Sequence, residues 1–393
     1  MHMADALLAP AVAGTMYVLS SAAAGTSLYK LRKEPAGGTI SGARTGANLS
    51  TSDPGSLSVD TGMTKKLPTM AIMAALVFAG QMINYSIPGT GSSGHMCGGM
   101  MLTALLGPYA GFLSMIVVLA IQCLFFADGG LMALGANVWN MAFYGCFVGY
   151  FLIWRPIVRS RLFENHSKSE SSGARKRIIL ASILGCVITL QLGAFSVVLE
   201  TSLSGITELP FGAFVALMQP IHLAIGLIEG LITAAVLVFV YEARPEMLPD
   251  LADSDRASSL DGDSRAAARA RLSLRGTLVV LAITAVVIGG GVSLLASSNP
   301  DGLEWALFGN EEAGYASNMA LDEEDYGVAS AAAERAEAIQ ETTSILPDYA
   351  FAGDEENPAG TSVSGLVGIA LVAGVAAIIG LIGGLNRKKA QTV

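Results

Sequence analysis

Residues 96–107 read MCGGMMLTALLG, and residues 108–127, which follow directly, read PYAGFLSMIVVLAIQCLFFA. A membrane-spanning helix needs roughly 20 apolar residues, so the first run is short for a crossing and the second is long enough. The short run nevertheless decides the topology, because leaving it out would move every later loop to the opposite side of the membrane. We therefore predict that residues 96–107 are a crossing of their own.

The composition indicates a polytopic membrane protein. The 393 residues are 52% hydrophobic and 14% charged, with a mean hydropathy of +0.55. This excludes an ordinary soluble domain of that length. With residues 96–107, nine crossings are predicted, the other eight being 4–29, 67–87, 109–127, 130–154, 176–200, 213–241, 275–297 and 364–386.

The basic residues orient these crossings. With the N-terminus outside, every Lys and Arg of the chain except Arg335 falls on the cytoplasmic side. Positive charges collect on that side of a membrane. We therefore expect a protein of the bacterial inner membrane with its N-terminus outside and its C-terminus in the cytoplasm.

The first apolar segment resembles an export signal, but its charges follow the apolar run instead of preceding it, at Lys30, Arg32 and Lys33. A signal peptide carries its basic residues in front. We expect the segment to stay attached, with a free amine on Met1. The alternative is a cleaved leader that ends near residues 22–24.

Three regions follow from these patterns. Residues 1–243 are predicted to form a seven-helix membrane bundle, and residues 244–274 a cytoplasmic linker. Residues 275–393 are predicted to form a two-helix module around an acidic external segment that attracts cations. The fold class is all-α.

The candidate metal ligands lie at the N-terminus and in a glycine-rich run, both of which are predicted to lie on the external side. The Met1 amine, the His2 backbone nitrogen and one His2 ring nitrogen can reach one ion together, and such nitrogen-rich planar sites favour Ni(II) or Cu(II). His95, in the glycine-rich run PGTGSSGHMCGG (88–99), is the candidate fourth nitrogen. The alternative is that His2 lies in a frayed terminus and that His95 is hydrogen-bonded within a turn.

Polar residues near this loop could hold the imidazoles by hydrogen bonds, or could instead join packed helices. They are Gln81, Asn84, Ser93, Asn137 and Asn140. His222 and Glu229 are seven residues apart and share a helix face inside the membrane, which marks a functional pair or a mutually neutralised one.

Three separated motifs resemble the M component of energy-coupling-factor transporters for cobalt and nickel, the CbiM or NikM family. They are MHMADALLAPAV (1–12), PGTGSSGHMCGG (88–99) and LFFADGGLMALGANVWNM (124–141). The segments NPDGLEWAL (299–307) and ILPDYAF (345–351) resemble the PDGLE domain of the N component. The resemblance implies that Met1, His2 and His95 form a square-planar nickel site.

The same resemblance implies a substrate-capture subunit for Ni2+ or Co2+ that works with a Q-type coupling subunit and O-type ATPase subunits in the bilayer. The chain itself carries no Walker A or kinase signature, so we expect a transport subunit rather than an enzyme. Nucleic acid is not an expected partner. The alternatives are a copper-binding membrane protein or metal sensor using Met3, Met96 and Cys97, and a scaffold in which both histidines are incidental.

Overall fold

The structure is a computed structural model that describes residues 1–33, 62–160, 163, 170–206, 208–251, 272–311, 314, 319, 321, 326–354 and 357–390. Almost all of the secondary structure in these ranges is helical, which confirms the all-α prediction. The helices are α1 (Pro10–Lys33), α2 (Gly62–Gln81), α3 (Gly99–Leu106), α4 (Pro108–Phe126), α5 (Leu134–Asn137) with a π-helical continuation (Val138–Trp154), α6 (Arg155–Val158), α7 (Glu170–Leu203), α8 (Phe211–Ala243), α9 (Leu274–Gly290), α10 (Gly302–Phe308), α11 (Ala331–Thr343) and α12 (Pro358–Ala390).

Four short 3-10 turns and one hairpin complete the described elements. The turns are Asp5–Leu7, Pro245–Met247, Val292–Leu295 and Pro347–Tyr349. The hairpin pairs β1 (Tyr85–Ile87) with β2 (Ser92–Gly94) in antiparallel register, Tyr85 opposite Gly94.

Five helical stretches in the described part of the chain are long and apolar enough to cross a membrane. They are Pro108–Phe126, Leu134–Val158, Ser172–Leu203, Phe211–Ala243 and Pro358–Ile378. The protein is therefore a multi-pass membrane protein. Residues 34–61, between the first two predicted crossings, and most of the predicted linker lie outside the described residues.

The decisive short segment is a helix of only eight residues, α3, and all eight are buried. A helix of that length spans about 12 Å, less than half of a bilayer core. The chain from the hairpin reaches it as irregular backbone, which is tolerated at membrane depth only where protein surrounds it. The loop with His95 is thus placed inside the bundle rather than above it.

The first helix begins at Pro10, not at residue 4 as predicted. Proline suits the first turn of a helix because its missing N–H has no intrahelical partner there. The residues before it form an extended stretch and a 3-10 turn, and Met3, Leu7 and Leu8 are buried in the core. This short segment therefore folds back into the bundle.

The C-terminal module packs on the bundle through its two long helices. The helix α12 runs along α2 and also contacts α4 and α9. The segment between these two helices reaches the end of α4, where the backbone N–H of Ile345 donates to the Phe125 carbonyl at 3.0 Å. The module therefore covers the side of the bundle on which the N-terminal segment enters.

Candidate metal site

The N-terminal segment is held inside the bundle by paired backbone bonds. The N–H of Met3 donates to Asn137 Oδ1 at 2.8 Å, and Asn137 Nδ2 donates to the Met3 carbonyl at 3.2 Å. The Gly130 N–H also donates to the Met3 carbonyl, at 2.8 Å. Met1 is only 5% exposed and Met3 is fully buried. The first residue is thus a fixed part of the core.

The run ADGG after α4 makes room for this segment. A Cβ on Gly130 would lie 1.8 Å from Asp5 Oδ1, so only glycine fits there. Asp5 in turn accepts a bond from the Ala133 N–H at 2.9 Å. The glycine lets the N-terminal segment and the chain before α5 pack backbone against backbone.

The loop that carries His95 is anchored from two helices. Gln81 Nε2, at the end of α2, donates to the Cys97 carbonyl at 2.8 Å. The Glu229 carboxylate on α8 accepts the backbone N–H groups of Cys97 and Gly98, both at 2.9 Å. Glu229 is 1% exposed, so its charge faces the loop rather than water. These bonds fix the backbone directly after His95.

The fold brings the predicted imidazoles together. The ring centroids of His2 and His95 lie 5.4 Å apart, with the planes tilted by 57°. His95 Nδ1 lies 3.2 Å from the Met96 carbonyl, which can only accept, so Nδ1 carries the proton and Nε2 the lone pair. His2 Nδ1 faces Asp128, 3.1 Å from Oδ1 and 3.4 Å from the carbonyl.

The Met1 amine pairs with the C-terminal module. It lies 2.8 Å from Asp301 Oδ2, although 300 residues separate the two. Burial would lower the pKa of this amine, but the Asp301 carboxylate outweighs burial and raises it. Burial lowers the pKa of His95 to about 4, helped by the neighbouring amine charge, so this imidazole is neutral at pH 7.

Asp301 is positioned by its own helix. It is the N-cap of α10, and its Oδ1 accepts the N–H groups of Leu303 and Glu304 at 2.8 and 2.9 Å. The Glu304 side chain returns a bond to the Asp301 N–H at 3.3 Å, which completes a capping box. One oxygen therefore caps the helix and the other holds the amine.

The second motif of the module reaches the other chelating residue. Tyr349 Oη donates to Asp128 Oδ2 at 2.5 Å, while Oδ1 of the same carboxylate faces His2. Burial raises the pKa of Tyr349 well above its usual value, and the Asp128 charge adds to this. Both residues predicted to chelate the ion are therefore linked to the C-terminal module, Met1 directly and His2 through Asp128.

Of the other candidate residues, Ser93 and Asn84 bind peptide segments around the site, and Asn140 joins two packed helices. Ser93 Oγ donates to the Asn299 carbonyl at 2.7 Å, and its N–H donates to the Pro300 carbonyl at 2.8 Å. The Asn84 carbonyl accepts the Ser297 N–H at 2.7 Å, and Asn140 Nδ2 donates to Glu200 Oε2 at 2.8 Å. Gln81, Asn84, Ser93 and Asn137 therefore hold the backbone that carries the predicted ligands and the PDGLE motif.

An open cavity of about 640 Å³ leads to these groups. Its lining includes His2, His95 and the carboxylates of Asp128, Asp301 and Glu304. Acidic walls concentrate cations. Within the described ranges, no three His, Cys, Asp or Glu side chains meet at one point, so a metal site here needs backbone or terminal nitrogens as well.

The soft atoms of the copper alternative do not converge. Met3 Sδ accepts a bond from Asn140 Nδ2 at 3.6 Å, and Met96 Sδ packs against Gly80. Cys97 lines a small cavity beside Met1, away from the sulfur of Met96 on Gly80. The two imidazole rings, in contrast, lie 5.4 Å apart between their centroids.

Sequence reasoning missed Asp128 and Asp301 as partners of the chelating residues, and it missed the role of Tyr349. All three stand inside motifs that carry the family resemblance, LFFADGG, NPDGLE and ILPDYAF. The motifs indicated that these residues matter, but the pairing of Met1 with Asp301, 300 residues apart, cannot be predicted from spacing along the chain.

Comparisons with known proteins agree with these motifs. The family described as CbiM, cobalt uptake substrate-specific transmembrane region, matches residues 56–247, and the PDGLE domain matches residues 275–384. A putative fused nickel transport protein NikMN of Archaeoglobus fulgidus is 32% identical over 374 residues, which cover 95% of each chain.

Two further relatives and one solved structure are similar to parts of the chain. The fused nickel transport protein NikMN of Rhodobacter capsulatus is 30% identical, covering 80% of this chain and 86% of its own. The cobalt transport protein CbiM of Sorangium cellulosum is 32% identical, covering 47% and 77%. A crystal structure of a transition metal transporter is 25% identical, covers 67% of this chain and all of its own, and gives a TM-score of 0.46. This chain belongs to the CbiM family of membrane metal transport proteins, in the form fused to a PDGLE domain.

Proposed function

We propose that the protein is the substrate-capture subunit of an energy-coupling-factor importer for Ni2+ or Co2+, with Met1, His2 and His95 as the metal ligands. One observation carries the proposal: the terminal amine is buried beside two imidazoles at the end of an acidic external cavity. Burying the N-terminus costs free energy because a charged amine has to be desolvated. We therefore expect a buried N-terminus to have a function. Metal chelation supplies that purpose.

The covalent geometry selects the chelating atoms. The amine and the His2 amide nitrogen close a five-membered ring around an ion, and the amide nitrogen and His2 Nδ1 close a six-membered ring. Nε2 of the same ring points too far away to complete this chelate. With His95 Nε2 as the fourth nitrogen, the set is planar and rich in nitrogen, which favours Ni2+ and keeps Co2+ as the second substrate.

In the metal-free arrangement, both chelating nitrogens are held by carboxylates. The amine lies on Asp301 and His2 Nδ1 lies on Asp128. An incoming ion must displace both, because ligands bind metal only after losing their protons. We propose that these two carboxylates keep the N-terminus ordered while no ion is bound.

The uptake step is proposed from the family resemblance. The chain would pass the ion inward when a Q-type coupling subunit and O-type ATPases change its conformation, with its N-terminus outside and its C-terminus in the cytoplasm. This is tested with the untagged N-terminus and a C-terminal affinity tag. We expect about one nickel per purified chain, and nickel uptake by cells only when the partner subunits and ATP are present. Purified chain without metal would contradict the capture role, and uptake without the ATPases would contradict the coupling.

Removing the charge of Asp301 should tighten nickel binding. Asp301→Asn keeps an N-cap residue for α10 but leaves the ammonium without its buried partner, which destabilises the metal-free state. We expect the dissociation constant to fall roughly tenfold, or about 1.4 kcal/mol. Isothermal calorimetry with nickel chloride measures this. Asp354→Asn, an exposed carboxylate of the same module, is the control, and weaker binding by Asp301→Asn would show that Asp301 helps to hold the ion.

Glu229→Gln should weaken nickel binding by roughly tenfold, since residues that orient metal ligands are worth about 10- to 100-fold. Glutamine accepts only one of the two N–H bonds from Cys97 and Gly98, and its own NH2 opposes the other. Isothermal calorimetry with nickel chloride measures the affinity of variants that are equally well folded. Thr233→Val, one turn further along α8, is the matched control. Equal affinities for both variants would mean that the loop needs no support from Glu229.

A further inference from the structure

We propose that Glu200 carries a proton instead of a negative charge, and that its paired hydrogen bonds with Asn140 hold the N-terminal segment in place. The holding role rests on the proposed function, whereas the proton does not. Glu200 lies near the end of the membrane-spanning helix α7 and is 5% exposed. Ionisable side chains in such helices are rare unless they serve a function. The proposed chelate itself does not use this carboxyl group.

The hydrogen bonds of Glu200 account for only one of its two oxygens. Asn140 Nδ2, on the π-helical continuation of α5, donates to Glu200 Oε2 at 2.8 Å. Glu200 Oε1 is buried and has no hydrogen-bond partner among the described residues, and the same holds for Asn140 Oδ1. Carboxylate oxygens and carboxamide oxygens can only accept. An ionised Glu200 would therefore leave two buried acceptors without a donor.

A proton on Glu200 Oε1 supplies the missing donor. A protonated carboxyl group has one O–H. Asn140 Oδ1 belongs to the same planar carboxamide whose Nδ2 already donates to Glu200 Oε2. An acid and an amide can thus form two bonds at once, with O–H donating to Oδ1 and N–H donating to Oε2. Because an unpaired buried polar group costs free energy, one proton that pairs both oxygens favours the neutral acid.

The surroundings of Glu200 offer no positive partner for a charge. In the part of the chain that the structure describes, no Lys, Arg or His side chain forms an ion pair with it. A bound Ca²⁺ or Mg²⁺ would need about six to eight oxygen ligands. The pair offers two free oxygens, Glu200 Oε1 and Asn140 Oδ1. A buried carboxyl group without a cation neutralises by taking up a proton.

The buried glutamate of α8 shows the opposite arrangement. Glu229 Oε2 accepts the backbone N–H of Cys97, and its Oε1 accepts that of Gly98, both at 2.9 Å. Each oxygen of Glu229 therefore has its own donor, and hydrogen bonding to both oxygens favours the charged form. The two glutamates are equally buried in practice, so the donors around them make the difference. They should consequently respond in opposite ways to replacement by glutamine.

Asn140 connects Glu200 to the N-terminal segment. Its Nδ2 also lies 3.6 Å from Met3 Sδ. Its backbone carbonyl and the Met1 methyl group both face Gly193 on α7, where an added Cβ would lie 2.5 Å from the carbonyl oxygen and 3.2 Å from Met1 Cε. Asn140 thus packs beside the segment that carries the proposed chelating amine. Glu200 is therefore a positioning residue, which acts through Asn140 without touching the ion.

Infrared difference spectroscopy on the full chain tests the proton. The C=O stretch of a protonated carboxyl group is separate from the bands of amides and carboxylates, and it shifts in D2O. We expect the wild-type protein at pH 7 to show such a band and Glu200→Gln to lack it. Loss of a carboxylate band in Glu200→Gln instead would overturn the proposal. This measurement needs neither nickel nor an intact capture site.

Isothermal calorimetry with nickel chloride, on chains with the native N-terminus, tests the positioning role. Glu200→Gln keeps both bonds to Asn140, because the glutamine NH2 takes the place of the carboxyl O–H, so we expect wild-type affinity. Glu229→Gln, whose NH2 opposes a backbone N–H, is the matched contrast and should bind roughly tenfold more weakly. Glu200→Leu removes both bonds and should also weaken binding about tenfold.

The outcomes separate this proposal from the proposed function. Weakening by Glu200→Gln to the level of Glu229→Gln, or wild-type affinity in Glu200→Leu, would overturn the role of Glu200 and leave the capture site intact. Wild-type protein that retains no nickel would overturn the capture site and the positioning role together. The infrared band would then still decide whether Glu200 carries a proton.

Discussion

One extra residue in front of Met1 is expected to abolish tight nickel binding while the protein still folds. The extension turns the chelating amine into an amide and moves the free amine away from His2. A lost chelating nitrogen should cost roughly 100-fold or more in affinity, about 2.7 kcal/mol. Equilibrium dialysis of nickel against the purified protein measures the loss.

The extension also has to break the ion pair between the amine and Asp301. Size-exclusion profiles and thermal unfolding therefore accompany the binding assay, so that misfolding is not mistaken for ligand loss. An Ala added behind Val393 is the matched control, because it lengthens the chain by the same residue at the opposite end. Wild-type affinity in the N-terminally extended protein would contradict the chelating amine.

His95→Ala is expected to have the second largest effect. It removes the proposed fourth nitrogen, and we expect nickel binding to weaken by roughly 100-fold, while the two chelate rings formed by Met1 and His2 retain some affinity. The loop itself should persist, because Gln81 and Glu229 hold the backbone of Cys97 and Gly98 rather than the imidazole. Calorimetry of nickel binding gives the affinity.

His166→Ala is the control for this variant, since it removes a histidine from the segment between the predicted crossings 130–154 and 176–200. Both variants replace one histidine by alanine, so their difference reports the lost ligand. Equal binding by His95→Ala and His166→Ala would exclude His95 from the site. Loss of nickel together with loss of the folded protein would be resolved by His95→Gln, which restores a polar side chain of similar length.

Through two carboxylates, the C-terminal module is linked to both residues that we propose as chelators, Met1 and His2. Asp301 acts from the NPDGLE motif, and Asp128 is linked to the ILPDYAF motif through Tyr349. A displacement of the module would release both nitrogens together. With Met1 and His2 as the proposed ligands, the module contacts the same nitrogen atoms that would bind the ion.

Much of the candidate site was predictable because its chemistry is written in local sequence. A histidine at position 2 places its ring nitrogen, its backbone nitrogen and the terminal amine within reach of one ion. The glycines around His95 permit a tight loop. The pairing of Asp301 with Met1, and of Glu229 with the loop amides, was not predictable. Each depends on which helix faces which, and spacing along the chain does not encode that choice.

The sequence alone determined that the protein is helical, lies in a membrane and carries a nitrogen-rich terminus, because hydrophobic run length, charge sorting and covalent chelate geometry are local properties. Only the tertiary structure decided that residues 1–9 turn back into the bundle instead of starting the first helix. It also decided that Asp128, Asp301 and His222 surround that terminus. The reason is that a buried charge needs a charged or hydrogen-bonding partner. Which residue becomes that partner depends on how distant segments pack together.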